Sequence, residues 1–234
     1  MESDERETQA LLARLRTFCF PGGEDAARRV RGVKTSQRGD FRTSPAAKWM
    51  PFTAEETIDA TRSSFCWEAR FGGSRITSLA VTDAYEQGHG RLQIKYGGIV
   101  PLKKVVGPDV DKGELQRYLT ALALCPSMML NHPSLEWSTA GPLTLRLRDR
   151  EGPDGATIDI ELDEQGSRFV CRADRPRLVG RKSVLTPWSG LASEFKEWEG
   201  LRIASHLEVS WLIPELQEPF TYFKEEITSV TVLR

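Results

Sequence analysis

The spacing of apolar residues changes along the chain and divides it into four stretches. Over residues 5–19, Leu11, Leu12, Leu15 and Phe18 recur every three or four positions. That period puts them on one face of a helix, which Phe-Pro-Gly-Gly at 20–23 ends. From about Val30 the period drops to two. Phe65, Trp67, Ala69 and Phe71 alternate with Cys66, Glu68 and Arg70. Leu79, Val81, Asp83 and Tyr85 share a face, as do Leu92, Ile94 and Tyr96. Alternation of this kind predicts strands with one buried face.

A helical period returns over residues 111–131. Asp111, with Glu114 three positions on, reads as a capping box. Leu115, Tyr118, Leu119 and Leu122 then form one apolar face, and Pro126 opens a second short helix carrying Met128 and Met129. Beyond residue 134 the two-residue period resumes and reaches the end. Its clearest run is Leu201, Ile203, Leu207, Val209, Trp211 and Ile213, and the last strand spans Phe220 to Leu233. Turn residues at 87–90, 150–155, 163–166 and 197–200 mark hairpins between successive strands.

The pattern predicts a single mainly β domain over 1–234: an N-terminal helix (1–22), a first strand set (28–106), inserted helices (111–131) and a second strand set (134–234). About eleven strands, each with one apolar face, fit one highly curved antiparallel sheet. In that half-barrel the helix pair acts as a lid over the concave face. A closed barrel or a sandwich satisfies the same pattern.

Charge narrows the partners. Lys and Arg number 32 against 33 acids, so no global field draws the chain to nucleic acid or to an anionic membrane. No run reaches the roughly 18–20 apolar residues of a membrane span. The opening Met-Glu-Ser-Asp-Glu-Arg-Glu is acid-rich, unlike an export leader, and predicts a cytoplasmic protein. Cys19, Cys66, Cys125 and Cys171 stand outside metal-clip spacing and read as reduced packing residues. No metal or other cofactor is expected.

Several blocks carry a resemblance. They are Arg-Gly-Asp-Phe-Arg (38–42) with 49–56, residues 83–93 with 107–130, Thr-Pro-Trp-Ser-Gly (186–190), 200–211 and 220–230. Together they resemble a bacterial protein family with no assigned activity, and Gly-Glu-Leu-Gln-Arg-Tyr-Leu (113–119) is the most specific part. The order of elements is similar to that of the lipoprotein carriers of the Lol system. That likeness implies a curved half-barrel with helices over an apolar cavity. Those carriers are exported or anchored, and no such leader is read here.

Candidate chemistry is sparse. Gly97-Gly98 lacks the following helix that a phosphate loop needs, and reads as a strand end with a bend before the lid. Asp109, Asp111 and Gly113 do not complete a calcium loop, because Thr120 stands where the closing glutamate belongs. Ser193-x-x-Lys196 lies in an alternating segment, which turns the two side chains to opposite faces. His89, His132 and His206 have no metal-ligand spacing. The basic stretch 172–182 reads as a solvated loop.

Two acids stand out by position. Asp83 falls on an inner face, where desolvation would raise its pKa. It is either a general acid/base, with Tyr85 or Tyr96 stabilising developing charge, or a strand-end acid that is solvated or paired with an arginine across the hairpin. One of Glu225 and Glu226 must point among apolar neighbours, with a cross-strand arginine as its expected partner. Trp67 and Trp211 face inward as core or as cavity lining, and Met128 and Met129 suit an adaptable lid. The leading expectation is a hydrophobic or amphipathic small molecule, such as a lipid, held by Trp67, Tyr96, Met128, Met129 and Trp211. The alternatives are an isomerase, cyclase or hydrolase acting through Asp83 and Tyr85 on a lipophilic substrate, and a protein-interaction module.

Overall fold

The computed structural model describes residues 2–72, 77–164, 168–180 and 182–234. Helix α1 (Glu2–Cys19) and the short α2 (Glu24–Ala27) precede six strands: β1 (Gly32–Phe41), β2 (Met50–Asp59), β3 (Phe65–Phe71), β4 (Leu79–Glu86), β5 (His89–Tyr96) and β6 (Val100–Val105). Helix α3 (Pro108–Thr120), a 3-10 turn (Ala121–Ala123) and α4 (Met128–Asn131) follow. Seven strands complete the chain: β7 (Leu135–Gly141), β8 (Thr144–Asp149), β9 (Thr157–Leu162), β10 (Phe169–Val179), β11 (Lys182–Trp198), β12 (Leu201–Trp211) and β13 (Phe220–Leu233).

All thirteen strands form one antiparallel sheet in the order β6-β5-β4-β3-β2-β1-β13-β12-β11-β10-β9-β8-β7. The chain walks out from β1 to one edge, crosses over through the helices, and walks back from the other edge. β13 then pairs with β1 at the centre, Val33 opposite Val232 and Phe41 opposite Phe223. β6 and β7 remain free edges, so the sheet is an open half-barrel and not a closed barrel or sandwich. Register shifts at Ser36/Gln37 and at Val209/Ser210 mark bulges in the central strands, which bend and twist the sheet there.

The strand count exceeds the eleven expected, and two of the reasons are physical. β6 is an edge strand with no buried face, so alternation does not reveal it. The arginine-rich stretch taken for a loop is most of β10. Gly97-Gly98 is a tight hairpin turn, with both residues at positive φ and Ile99 N–H donating to Tyr96 O, and it joins β5 to β6. The hairpins at Gln87-Gly88 and Glu199-Gly200 form with the same left-handed pairs. The hairpin expected at 163–166 lies partly outside the described residues, although Leu162 pairs with Phe169 beside it.

The capping box does not form. Pro108, with its fixed φ, begins α3 three residues before Asp111. Asp111 instead accepts the Gly90 N–H (2.7 Å), pinning the helix to β5. Gly90 is required at this contact, because a Cβ there would stand 2.5 Å from Val110 O. Both long helices lie on the concave face. Leu11, Leu12 and Leu15 of α1 and Leu115, Tyr118 and Leu119 of α3 join one core with Leu145, Ile158 and Ile203 of the sheet. Among the described residues no helix is long and apolar enough to cross a membrane.

Candidate ligand cavity

The floor of the cavity is one rung across the sheet. Thr35, Glu56, Trp67, Asp83 and Leu92 stand opposite one another on β1 to β5. Cross-strand neighbours lie about 5 Å apart, so two carboxylates flank the Trp67 indole on the concave side. Arg117 reaches down from α3 to them. Its guanidinium donates to Asp83 and to Glu56 (3.3 Å) and lies over the rings of Phe65 (4.9 Å) and Trp67 (5.0 Å). Gln37 Nε2 donates to Glu56 (2.8 Å) and Thr35 (2.9 Å), while its Oε1 accepts the Trp67 Nε1–H (2.7 Å).

Burial pushes the Glu56 carboxyl above the usual range, and Arg117 and Gln37 only partly pull it back. Burial alone would lower Arg117, but the facing carboxylates, led by Asp83 and Glu56, outweigh it and keep the guanidinium charged. Glu114, one turn earlier on α3, is driven well above the carboxylate range by burial and then by Asp83, which its carboxyl faces. Asp83 Oδ1 and Glu114 Oε2 meet no donor among the described residues. A proton carried on Glu114 satisfies that pair.

Glu225 and Glu226 part company on β13. Glu226 turns outward and accepts two bonds from Arg38 (2.8 and 2.6 Å), the cross-strand partner expected for one of the pair. Glu225 faces the cavity and is 5% exposed, and no hydrogen bond or ion pair reaches it from the described residues. Burial, reinforced by Glu56 and opposed by Arg117, pushes its pKa up to about 8.

Above this floor lies a cavity of about 540 Å³ whose walls are mostly apolar. Val81 and Ile94 form one side, and Leu207, Val209, Trp211 and Phe223 the other. The bulge beside Tyr222 turns both Tyr222 and Phe223 to the cavity, against strict alternation. Tyr222 stacks on Trp211 (5.7 Å) and its hydroxyl accepts the Trp188 Nε1–H (3.1 Å). Arg175 lies over Trp188 and donates to Gly113 O (2.6 Å), tying β10 to the lid.

Of the residues singled out by sequence, Trp67, Asp83 and Trp211 come together around this cavity. Tyr85 is core, 2% exposed, with burial raising its phenol to about 12. Tyr96 stands 44% exposed at the end of β5, outside the lining. Met128 and Met129 pack in the core, and Glu114, Arg117, Thr120, Ala121 and Leu124 are the residues around the lid that meet the cavity. Sequence reasoning missed Glu56, Glu114 and Arg117. Glu56 had a signal, since it shares the parity of Phe52, Ala54 and Ile58 on β2. Arg117 had none, because helical spacing alone does not distinguish a buried arginine.

A second cluster resembles a catalytic triad but is wired otherwise. Ser63 Oγ–H donates to Asp149 (2.5 Å) and lies 3.2 Å from His132 Nε2. The Ser134 N–H meets His132 Nδ1 at 3.3 Å, so Nδ1 accepts and Nε2 carries the proton. The imidazole therefore donates toward Ser63 and cannot deprotonate it. Asp149 also accepts from Ser134 Oγ and the Glu151 N–H, tying three loops together.

The model of a family of unknown function, DUF6544, matches residues 15–225. No curated protein matches the chain. Among solved structures it is similar to a DUF1329 family protein from Desulfovibrio piger, with 8% identity and a TM-score of 0.53 over 96% of this chain and 92% of that one. It is also similar to a LolA superfamily protein from Nitrosomonas europaea, with 7% identity and a TM-score of 0.52 over 97% and 93% of the two chains. At these identities the likeness is one of fold, and the half-barrel with its helices is what the three chains share.

Proposed function

The chain belongs to DUF6544, a family of unknown function, and from the cavity itself we propose that it binds one hydrophobic or amphipathic small molecule on the concave face of the half-barrel. The observation that carries this reading is the cavity of about 540 Å³ between β4–β5 and β12–β13, with apolar walls and charged groups only at its floor and rim. That volume falls within the ~300–1,000 Å³ of ordinary ligand sites, and a few polar groups in an apolar enclosure are what such sites use to orient a ligand. Trp67, Trp188 and Trp211 give the walls large contact area.

Catalysis through Asp83 is the less favoured reading. One of its oxygens accepts from Arg117 and the other faces Glu114, so the lone pairs a general base needs are engaged. The interaction-module reading draws on exposed apolar side chains at two hairpins, Ile99, Val100 and Leu102 on one and Leu178, Val184 and Leu185 on the other. They lie outside the cavity and leave its interior unexplained.

Native mass spectrometry of the freshly purified protein, with solvent extraction of what it carries, tests the binding reading. A co-purifying apolar mass, or a saturable change in tryptophan fluorescence on adding an alkyl-chain probe, is the expected result. A ligand-free protein whose fluorescence is indifferent to every such probe would overturn it.

A further inference from the structure

The charged groups lining the cavity are unevenly matched. Among the described residues lining the cavity, the acids Glu56, Asp83, Glu114, Glu208 and Glu225 stand against two cations, Arg117 and Arg175. Both arginines are already committed, Arg117 to Asp83 and Glu56 and Arg175 to Gly113 O and the Trp188 ring. Glu208 at the rim has Lys224 and His206 as partners. With Asp83 Oδ1 and Glu114 Oε2 satisfied by the proton they share, what remains unmatched is the Glu225 carboxyl. Glu225 is buried, faces the empty volume, and receives no hydrogen bond or ion pair from the described residues, with Arg117 acting on it only at a distance.

We propose, building on the binding reading above, that the cavity selects an amphiphile with a cationic amine head, which ion-pairs with Glu225 while its chain lies along the apolar walls. The argument is one of complementarity. An ammonium group brings three donors and no acceptor to the one carboxyl of the cavity that no donor from the described residues reaches. A carboxylate or phosphate head would add negative charge among the carboxyl groups that line the cavity, and Arg117 has no free fork to receive it.

The choice has a pH signature. The titratable and charged groups that line the cavity with Glu225 are Glu56 on β2, Asp83 on β4, Glu114 and Arg117 on α3, Cys171 and Arg175 on β10, Glu208 on β12 and Tyr222 on β13. With Glu225 protonated in the empty protein, taking up an ammonium releases its proton. Amine affinity therefore rises with pH toward about 8, whereas the affinity of a neutral head does not.

Titration of the full-length protein with dodecylamine, dodecanol and dodecanoate, followed by tryptophan fluorescence, tests the inference. The amine is expected to bind at least about tenfold more tightly than the alcohol near pH 8, with dodecanoate weakest. Glu225→Gln should bring the amine-to-alcohol ratio to about one. The wild-type pH trend gives a second readout that needs no variant. Equal binding of amine and alcohol, a preference for dodecanoate, or a ratio unmoved by Glu225→Gln would overturn the inference and leave the binding reading standing. If none of the three chains bound, the binding reading would fall, and this one with it.

Discussion

The concave face of one sheet is filled on one side and left open on the other. Across β8, β9 and β12, under α1 and the apolar side of α3, Leu145, Leu147, Ile160 and Ile203 are wholly buried. Phe18 of α1 meets Phe169 and Phe195 edge-on, closing that side with aromatic contact. Across β4 and β5, beneath the polar side of α3, and across β13, Val81, Leu92, Ile94 and Phe223 remain half-exposed around the cavity. The strands are alike in pattern, so the difference comes from the helices. α1 turns leucines to the sheet, whereas the side of α3 over β2–β4 carries Glu114, Arg117 and Thr120. Polar side chains anchored at the floor hold the lid in place without filling the space beneath it.

The sharpest way to break this comparison is to remove the anchor. Arg117→Met leaves the buried Glu56 and the Asp83 carboxylate without their shared cation, a loss of about 3–5 kcal/mol at neutral pH. Urea unfolding should show the midpoint falling, and the deficit should shrink on acidification as the carboxylates take up protons. If the variant were as stable as the wild type at neutral pH, the lid would be held by packing alone.

The two sides can be compared directly by truncation. Leu147→Ala, on the filled side, should cost about 2–5 kcal/mol, because it opens a void in dry core. Val209→Ala, on the open side, removes a half-exposed group and should cost roughly 1 kcal/mol or less. Equal losses in chemical denaturation would mean the cavity wall is packed as tightly as the core.

Glu225 sharpens the picture through pH. Its folded pKa of about 8 lies above its ordinary 4.5, so the folded state holds a proton that the unfolded chain gives up. Stability owed to this group is full below about pH 4.5 and is lost as pH rises toward 8. Between pH 5 and pH 7 the wild type should lose about 2–3 kcal/mol relative to Glu225→Gln. Parallel melting curves for the two proteins across that range would remove the buried acid from the account.

Periodicity made the architecture legible and left the cavity largely unread. Alternation in β3, β4 and β12 gave the inner faces, and so placed Trp67, Asp83 and Trp211 correctly on the concave side. What it could not supply was volume, which depends on sheet curvature and on how far a helix stands off. It also assumed strict alternation, so the β13 bulge that brings Tyr222 and Phe223 together went unseen. Asp83 was expected in water or beside an arginine across its hairpin. Its partner, Arg117, lies 34 residues away on the lid, a pairing only the folded topology makes. Met128 and Met129 were misplaced because a helix face shows burial but not what it is buried against.

The smallest expected effect comes from the other face of the same strand. Arg38 and Glu226 stand opposite each other on β1 and β13 with good geometry, on the solvent side. Water screens that pair, and ordering two long side chains offsets much of the attraction, so Arg38→Ala should leave the urea midpoint close to that of the wild type. The loss should fade further in high salt, because an exposed pair is screened within about 10 Å at 0.1 M. Arg117→Met should keep most of its deficit in the same salt series. The contrast tests position and not residue type, since both arginines bind carboxylates and differ in which side of the sheet they occupy. A salt response shared by both variants would mean that water reaches the cavity floor as freely as it reaches the convex surface.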